Sequence, residues 1–239
     1  MTFYSALDAI RPTVVANWMH ESAFRCLGQS NATRNVRSDL APEIELFLMR
    51  VIAGKYRSRT LQSIKGADIR PTADRLRETL FNVLCGGNPE ALSRTTWIDL
   101  FAGTGAVGIE ALSRGAEQVT FVETSPDATR LIERNLKYLN VDKGYQVLRL
   151  EVSKALRLLA AVPRPVDFIF LDPPYSEHAA YSRTLVALSG SQLLKEEGRV
   201  IVEHDRKFDP GDVFGPLRRY RKLEQGDSAL SFYGLAGQS

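Results

Sequence analysis

The sequence has few of the residues that form metal sites or disulfide frameworks. It contains two cysteines, Cys26 and Cys85, which lie far apart, and three scattered histidines. Because none of them has the spacing of a metal-ligand cluster, we expect no metal, and reduced thiols in a cytoplasmic protein. Long apolar runs are also absent, and Asp8 and Arg11 fall where a signal peptide needs an unbroken apolar segment. These absences predict a protein with no membrane partner.

The excess of positive charge is small overall, and it lies in one segment of the chain. The net charge is only +3, with 44% hydrophobic and 25% charged residues, which is typical of a globular protein. Residues 49–77, however, hold eight Lys or Arg against two Asp, a net charge of +6, so the rest of the chain is net negative. Such a segment can neutralise phosphates and gain affinity for nucleic acid. A solvated basic hairpin without a partner would carry the same charges.

Downstream of about residue 96, short apolar runs alternate with segments of helical period. This pattern is typical of successive βα units and a largely parallel sheet. We predict strands at Trp97–Phe101, Gln118–Glu123, Tyr145–Leu150, Val166–Leu171 and Arg199–Glu203. The predicted helices are Gly108–Arg114, a helix from the N-cap Ser125 to Leu139, Ser153–Ala161 and His178–Ser189. Leu217–Leu223 and Ala229–Leu235 flank polar turn residues and predict an antiparallel hairpin.

The chain divides into three regions. Residues 1–48 show no clear period or motif and form an extension of unknown role. Residues 49–95 are a small accessory region, with short basic strands predicted at Met49–Leu61 and Ile64–Ile69 and a helix at Thr72–Leu84. Residues 96–239 are the predicted α/β domain.

A glycine-rich turn follows the first predicted strand of that domain. Gly103, Gly105 and Gly108 formally have the G-x-G-x-x-G spacing of a dinucleotide site, and Glu123 ends the next strand, where it could accept hydrogen bonds from a ribose. These features fit NAD and S-adenosylmethionine almost equally. Asp99 favours S-adenosylmethionine, because its carboxylate could meet a ribose or the methionine ammonium, whereas a pyrophosphate gains nothing from an acid. A tight structural turn without a ligand is the third interpretation.

The apolar strand Val166–Leu171 ends in Asp172-Pro173-Pro174-Tyr175. Two prolines stiffen this turn and remove two N–H donors, so the turn presents acceptors. Asp172 and the carbonyl of Pro173 could each accept one N–H of an exocyclic amine and aim its nitrogen lone pair at a methyl group. Tyr175 would stack on the base, a contact worth roughly 1–3 kcal/mol. The turn predicts methylation of a base amine, although a rigid turn with a surface tyrosine would look the same.

These motifs resemble those of class I, Rossmann-like, S-adenosylmethionine-dependent methyltransferases that modify base amino groups. Met49–Arg57 and Arg70–Asn82 are similar, more specifically, to the RsmD-type small-subunit ribosomal RNA guanine-N2 methyltransferases, over about residues 49–235. The resemblance implies an α/β fold with a seven-stranded, mostly parallel mixed sheet, helices on both faces and a small basic N-terminal hairpin and helix that grip RNA. It implies transfer of methyl from S-adenosyl-L-methionine to the N2 amine of one guanine, leaving S-adenosyl-L-homocysteine.

The same resemblance assigns site residues by their match to the family motifs. For the cofactor these are Asp99, Phe101, Ala102, Gly103, Gly105, Gly108, Glu123, Arg70, Pro71 and Thr72. Candidate RNA contacts are Lys55, Arg57, Arg59, Arg75 and Arg77, although Arg75 or Arg77 could equally pair with Glu78 or Asp74 along a helix. Where family members have a short Asp or Asn followed by alanine against the adenine, this chain departs, with Glu151 and Val152. Glu151 is therefore the candidate at that position.

Three other functions stay open on the sequence. A DNA adenine-N6 methyltransferase would use the same Asp172–Tyr175 turn, although such enzymes often carry a recognition domain for which this chain has little room. A non-catalytic RNA-binding or assembly protein would retain the fold with a defective cofactor pocket. An NAD oxidoreductase would need a hydride-transfer pair, and no Tyr/Lys or His/Asp pair stands out. The favoured partner is ribosomal RNA, free or within a small-subunit assembly intermediate.

Overall fold

The computed structural model describes residues 48–63, 71–161 and 164–237. The predicted strand at Ile64–Ile69, the candidate cofactor residue Arg70 and the thiol Cys26 lie outside the described residues, as does the N-terminal extension up to residue 47. Cys85, which is described, is a free thiol.

The secondary structure of the described ranges follows the predicted alternation. In chain order the strands are β1 Leu48–Arg50, β2 Thr60–Gln62, β3 Thr96–Leu100, β4 Gln118–Glu123, β5 Tyr145–Arg149, β6 Val166–Leu171, β7 Leu194–Asp205, β8 Val213–Phe214, β9 Leu217–Gln225 and β10 Ser228–Leu235. The α-helices are α1 Pro71–Cys85, α2 Ala106–Ser113, α3 Pro126–Tyr138, α4 Val152–Ala161 and α5 His178–Ser189. A short 3-10 helix spans Pro89–Leu92.

One large sheet contains eight of these strands, in the order β5-β4-β3-β6-β7-β10-β9-β8. Its first five strands pair in parallel, and β10, β9 and β8 continue it as antiparallel neighbours. The predicted mostly parallel mixed sheet and the C-terminal hairpin are confirmed. The predicted count of seven strands misses β8, an edge strand of two residues that is too short to leave a periodic signal.

Helices cover both faces of the sheet, as predicted. One hydrophobic core joins α1, α2 and α3 to residues such as Trp97 and Phe170, and a second joins α4 and α5 to residues such as Ile98 and Ile169. Adjacent residues of β3 and of β6 thus point into opposite cores, because successive side chains of a strand alternate between the faces of a sheet. Burial on both faces explains why these central strands read as nearly continuous apolar runs.

The starts of two helices show how local sequence places the turns. Ser125 caps α3 by accepting a hydrogen bond from the N–H of Ala128 at 3.3 Å, with Pro126 as the first helical residue, which confirms the predicted N-cap. α2 begins at Ala106, two residues before the predicted Gly108, because Gly105 adopts a left-handed φ of 75° and turns the chain into the helix there.

β1 and β2 form a small antiparallel hairpin, with Met49 opposite Leu61. The prediction of one strand over Met49–Leu61 is wrong, because residues 51–59 leave the hairpin as a loop, here called the β1–β2 loop. The hairpin is also tied to α3, since Asn135 accepts a hydrogen bond from the N–H of Gln62 at 2.9 Å and donates one to its carbonyl at 3.0 Å.

A buried carboxylate fastens the β1–β2 loop to α2. The carboxylate of Glu110 is 0% exposed and accepts hydrogen bonds from the N–H groups of Ile52 and Ala53, at 2.8 and 3.0 Å. The Nε of Arg114 donates to the same carboxylate at 2.8 Å. Two loop amides and one guanidinium therefore share a single anion in the protein interior.

The end of α2 makes a second set of contacts with this loop. The hydroxyl of Ser113 donates to the carbonyl of Ala53 at 2.5 Å and accepts from the N–H of Tyr56 at 2.9 Å. Gly54 has φ of 81°, and a Cβ there would lie 1.9 Å from the carbonyl oxygen of Ser113. Only glycine allows this close approach, so the loop is held firmly on the helix.

Candidate active site

A cavity of about 1270 Å³ opens where the parallel strands β3, β4, β6 and β7 end, the edge at which open α/β sheets bind ligands. Typical ligand pockets measure roughly 300–1,000 Å³, so this one has room for a nucleoside cofactor together with a base. The predicted site residues that line it are Asp99, Phe101, Ala102, Gly103, Glu123, Glu151, Asp172, Pro173, Pro174, Tyr175 and Arg77. The structure therefore brings the glycine turn and the Asp172–Tyr175 turn to one cavity.

The glycine turn is fixed by Glu123 at the end of the neighbouring strand. One carboxylate oxygen of Glu123 accepts a hydrogen bond from the N–H of Gly103 at 2.9 Å, and the other accepts from Thr124 and Ser125 at 2.7 and 2.8 Å. Phe101, next to the turn, has a positive φ of 60°, an uncommon conformation for a residue that is not glycine. Glu123 therefore shapes the turn from which a ribose would be held, besides offering its own oxygens.

Gly105 and Gly108 do not line the cavity, although they complete the dinucleotide-like spacing. Gly105 starts α2, and Gly108 lies where α2 crosses β4. A Cβ on Gly108 would stand 2.3 Å from Cε1 of Phe121. In this structure the two glycines shape the turn and let the helix pack closely on the sheet.

Asp99, the acid of the first strand, is almost fully buried at 2% exposure. Its Oδ2 accepts a hydrogen bond from the N–H of Gly108 at 2.9 Å and so supports the first turn of α2. Burial raises the pKa of this carboxyl to about 7, with a further rise from Glu123 and an opposing effect of the Gly108 hydrogen bond. Asp99 therefore both lines the cavity and stabilises the first turn of α2.

The Asp172–Tyr175 turn begins beside the end of β3, where the N–H of Asp172 donates to the carbonyl of Leu100 at 3.4 Å. Burial, and then the nearby carboxyls of Glu203 and Asp99, raise the pKa of Asp172 well above its ordinary value. The carbonyl of Pro173 accepts a hydrogen bond from the buried Tyr181 hydroxyl at 3.2 Å. Because a carbonyl oxygen has two lone pairs, Tyr181 fixes its direction and leaves one lone pair for a second donor.

Tyr175 lies at the cavity with its ring partly exposed, at 37%. Its hydroxyl donates to Oε1 of Glu203 at 3.3 Å and shares a hydrogen bond with the hydroxyl of Ser228 at 2.8 Å. Burial and the neighbouring Glu203 raise the pKa of the phenol. The ring is therefore held by its hydroxyl rather than left as a free surface side chain.

Glu203 is a site residue that the sequence interpretation did not include. It follows Val202, whose partner on β6 is Leu171, so Glu203 and Asp172 continue from paired positions of adjacent strands. Burial raises the pKa of Glu203 to about 7, opposed by the hydrogen bond from Tyr175 and by the charge of Arg77. An acid at the end of the predicted strand Arg199–Glu203 was the available signal, because ligands bind at the carboxyl ends of parallel strands.

Arg77, predicted as a candidate RNA contact, is buried at 6% exposure and lines the cavity. Its guanidinium donates to the carbonyl of Arg50 at 2.7 Å and to Asp74 at 3.0 Å, and burial lowers its pKa. Of the two sequence interpretations, the structure shows the pairing with Asp74 and buries the guanidinium beside the cavity, and a contact with RNA stays a prediction. Arg77 places a positive charge in the wall of a mainly acidic cavity, which Arg183 also lines.

Among the described residues, five other Lys and Arg side chains between positions 49 and 77 are exposed. We call the set Arg50, Lys55, Arg57, Arg59 and Arg75 the basic surface. It adjoins the cavity through Arg50, whose neighbour Met49 and whose hydrogen-bond partner Arg77 both line the cavity. Pro71 and Thr72 are the first two residues of α1.

The wall on the α4 side is mainly apolar. Leu150, Val152 and Leu156 line it. Glu151, the candidate adenine contact, is exposed and lies 3.7 Å from the ammonium of Lys154. This part of the cavity offers a flat apolar group a surface with one carboxylate at its rim.

Most of the chain matches a known protein family. A family model described as Conserved hypothetical protein 95 matches residues 49–234. The chain belongs to this family. It is 33% identical to ribosomal RNA small subunit methyltransferase D of Escherichia coli strain K12 over 190 residues, covering 80% of this chain and 91% of that protein. It is 37% identical to YlbH of Bacillus subtilis strain 168 over 195 residues, covering 79% and 100%.

A solved structure from the same set of relatives supports the fold. yhhF of Escherichia coli superposes with a TM-score of 0.67 at 30% identity, covering 80% of this chain and 100% of that one. The resemblance to the RsmD-type family and the Rossmann-like α/β class are confirmed. The family match begins at Met49, where the likeness was expected to start.

Among residues 48–63, 71–161 and 164–237, no group of three or more His, Cys, Asp or Glu side chains could hold a metal ion. No helix in the same ranges has both the length and the apolar character that a membrane crossing requires.

Proposed function

We propose that this protein methylates the exocyclic N2 amine of one guanine in small-subunit ribosomal RNA, with S-adenosyl-L-methionine as methyl donor. The observation that carries the proposal is the meeting of two turns at one cavity: the glycine turn held by Glu123, and the acceptor turn Asp172–Tyr175. The name and the 33% identity of the relative from Escherichia coli support ribosomal RNA as the substrate. A cytoplasmic location, expected from the sequence, fits that substrate.

The residues present fit this cofactor by charge and by shape. Carboxyls of Asp99, Glu123, Asp172 and Glu203 line the cavity, and both the sulfonium and the ammonium of S-adenosylmethionine are cations. The pyrophosphate of NAD would meet the same acids unfavourably. The apolar wall at Leu150 would receive the adenine, and Glu123 the ribose. When bound, the cofactor supplies a methyl group already activated on a positively charged sulfur.

The chain itself has to hold and orient the amine. The carboxylate of Asp172 and the free lone pair of the Pro173 carbonyl accept its two hydrogens, and Tyr181 keeps that carbonyl in place. The nitrogen lone pair is then directed at the methyl carbon, and alignment is the main requirement of an in-line displacement. Methyl transfer would leave the amine cationic, and Asp172, whose raised pKa suits it as the acceptor, would take one of its protons.

Two alternatives differ from this proposal in what they need from the structure. A non-catalytic RNA-binding protein would not need the oriented acceptors of the Asp172–Tyr175 turn. A DNA adenine-N6 methyltransferase would use the same turn, and the basic surface suits either nucleic acid. The family relatives named for ribosomal RNA favour the RNA substrate.

Label transfer to ribosomal particles tests the proposal. Small subunits and their assembly intermediates from a strain that lacks this gene are incubated with the purified protein and S-adenosylmethionine carrying a labelled methyl group. Nucleoside mass spectrometry should find the label in N2-methylguanosine. Label only in DNA adenine, or no label in any base, would contradict the proposal.

An Asp172→Ala variant tests the role of the turn. It should bind S-adenosylmethionine in calorimetry yet lose turnover by roughly 100-fold or more, as when a positioned acceptor or general base is removed. Asp142→Ala, at an exposed position, is the matched control and should keep full activity. An Asp172→Ala enzyme with near wild-type turnover would remove Asp172 from the mechanism.

A further inference from the structure

Glu203 stands next to the proposed amine-binding turn but has no part in the mechanism above. Its position follows from the register, since β6 and β7 pair in parallel with Leu171 opposite Val202. Adjacent strands lie about 4.8 Å apart, so the side chains that follow them can reach neighbouring groups on the edge of one planar base. Glu203 also lines the same cavity as Asp172.

One hydrogen bond and one favourable charge interaction support the carboxylate of Glu203. Oε1 accepts the hydroxyl of Tyr175 at 3.3 Å, and that hydroxyl is in turn bound to Ser228 at 2.8 Å. Arg77 stabilises the ionised form by its charge, whereas Asp172 lies close enough to interact unfavourably. A half-buried carboxylate beside a second carboxyl group is electrostatically unfavourable. We therefore expect it either to bind a ligand or to stabilise the structure.

The base amines differ in the ring nitrogen next to them. In guanine the ring nitrogen beside the N2 amine on the Watson–Crick edge is N1, which carries a hydrogen; N3, on the other side of the amine, has a lone pair. In adenine the nitrogen beside N6, and in cytosine the nitrogen beside N4, has a lone pair instead. A carboxylate beside the amine-binding acceptors would therefore attract guanine and repel the other two bases, because reading of the Watson–Crick edge depends on matched donors and acceptors.

We propose that Glu203 contacts the substrate, accepts the N1 hydrogen of the target guanine and thereby selects guanine over adenine and cytosine. This inference rests on the proposed function, since it assumes that the amine bound by Asp172 belongs to a base. It gives the pair of half-buried acids a joint task, with Asp172 taking the amine and Glu203 the neighbouring ring nitrogen. Arg77, which is buried beside the cavity, acquires a role as the counter-charge of Glu203.

The experiment uses a base analogue that isolates the ring nitrogen. In a ligated small-subunit RNA, 2-aminopurine replaces the guanine that the wild-type enzyme is found to methylate. 2-Aminopurine keeps the amine on C2, but its N1 has a lone pair, and it also lacks O6. The measured quantity is the ratio of kcat/KM for guanine to kcat/KM for 2-aminopurine.

For the wild type we expect a ratio of at least about 10- to 150-fold, the range for a hydrogen bond to a charged group. Glu203→Gln should reduce the ratio at least about tenfold, because an amide can turn its NH2 towards the lone pair of N1. Since both enzymes lack the O6 contact equally with 2-aminopurine, the change in ratio reports on N1. Glu197→Gln, an exposed position on the same strand, is the control and should leave the ratio unchanged.

A second measurement needs no variant. The wild-type ratio should fall as the pH is lowered from about 8 to 5.5, because a protonated Glu203 can donate to the lone pair of N1, and the pKa of this group is about 7. Asp172, which also faces Glu203, affects both bases alike and cancels in the ratio; Tyr175 and Arg77 keep their charge over this range.

The outcomes separate this inference from the proposed function. An unchanged ratio in Glu203→Gln, or a pH-independent ratio in the wild type, overturns the role of Glu203 while methylation of guanine stands. Absence of any methyl transfer to guanine by the wild type overturns the proposed function and this inference with it. A ratio that falls in both measurements supports Glu203 as the residue that reads N1.

Discussion

The hydrogen bonds of the Glu110 carboxylate to Ile52, Ala53 and Arg114 clamp the β1–β2 loop to α2. Replacement of Glu110 by Gln perturbs this clamp at its centre. The wild-type carboxylate accepts two loop N–H groups and the Nε of Arg114, all within 3.0 Å. Glutamine keeps one acceptor oxygen and places an NH2 group where a second acceptor was. At least one donor is left unsatisfied, and Arg114 loses its anionic partner in the interior.

The expected loss in the free energy of unfolding is about 2–4 kcal/mol. It combines roughly 1.5–3 kcal/mol for a hydrogen bond to a charged group with roughly 1–3 kcal/mol for a buried donor left without a partner, which overlap in part. Domains of this kind are stable by about 5–15 kcal/mol, so the variant should still fold. Glu110→Ala would remove every acceptor and is the harsher change.

Urea unfolding followed by tryptophan fluorescence, to which the buried Trp97 contributes, measures this loss. Glu117→Gln, an exposed position just after α2, is the matched control and should change stability by less than about 0.5 kcal/mol. The affinity for RNA should fall with the loosened loop, whereas the affinity for S-adenosylmethionine should stay near that of the wild type. A Glu110→Gln protein within about 0.5 kcal/mol of the wild type would refute the clamp as described.

Three further predictions follow from the geometry. Gly108→Ala should lower the free energy of unfolding by about 1–3 kcal/mol, because its Cβ would stand 2.3 Å from Phe121; an unchanged melting temperature would contradict this. The kcat/KM of the wild type should rise with pH through about 7, because the raised pKa of Glu203 leaves it protonated below that value, without the negative charge that strengthens its hydrogen bond from N1. The pKa of Asp172 is also raised and acts in the same direction, and Tyr175 and Arg77 do not titrate there. A flat profile in stopped assays would argue against both acids. The three basic residues of the β1–β2 loop are Lys55, Arg57 and Arg59. Replacing all three by glutamine should make the slope of log affinity against log salt shallower by about 2, at roughly 0.7 per phosphate contact on single strands. A slope equal to that of the wild type would exclude them as phosphate contacts.

The elements that the sequence predicts best are those determined by their own residues. β4, β6 and α5 have the predicted bounds, because their hydrophobic pattern and a proline or glycine within about four residues of each end leave one local solution. The β1–β2 hairpin was mispredicted because its loop depends on Glu110 and Ser113, 57 to 60 positions away. No local pattern contains that information.

The site residues also divide into those that the local sequence predicts and those that depend on tertiary packing. Asp172 and Glu123 could be placed in advance, because each follows a predicted strand whose carboxyl end faces the ligand edge. The burial of Arg77 could not, since it depends on how α1 packs against the hairpin and brings Asp74 and the Arg50 carbonyl together. Glu203 also ends a predicted strand, but its place beside Asp172 depends on the register between β6 and β7, which sequence patterns leave undetermined.

The length of α2 matters for the proposed reaction, because this helix connects two parts of the site. Its first residue follows the glycine turn, and its last turn holds the β1–β2 loop through Glu110 and Ser113. At about 1.5 Å per residue, its eight residues form a spacer of about 12 Å. One inserted residue would rotate the loop contacts by about 100° around the helix axis and break them. The length of this one helix therefore sets the distance between the glycine turn, proposed to hold the methyl donor, and the β1–β2 loop, proposed to face RNA.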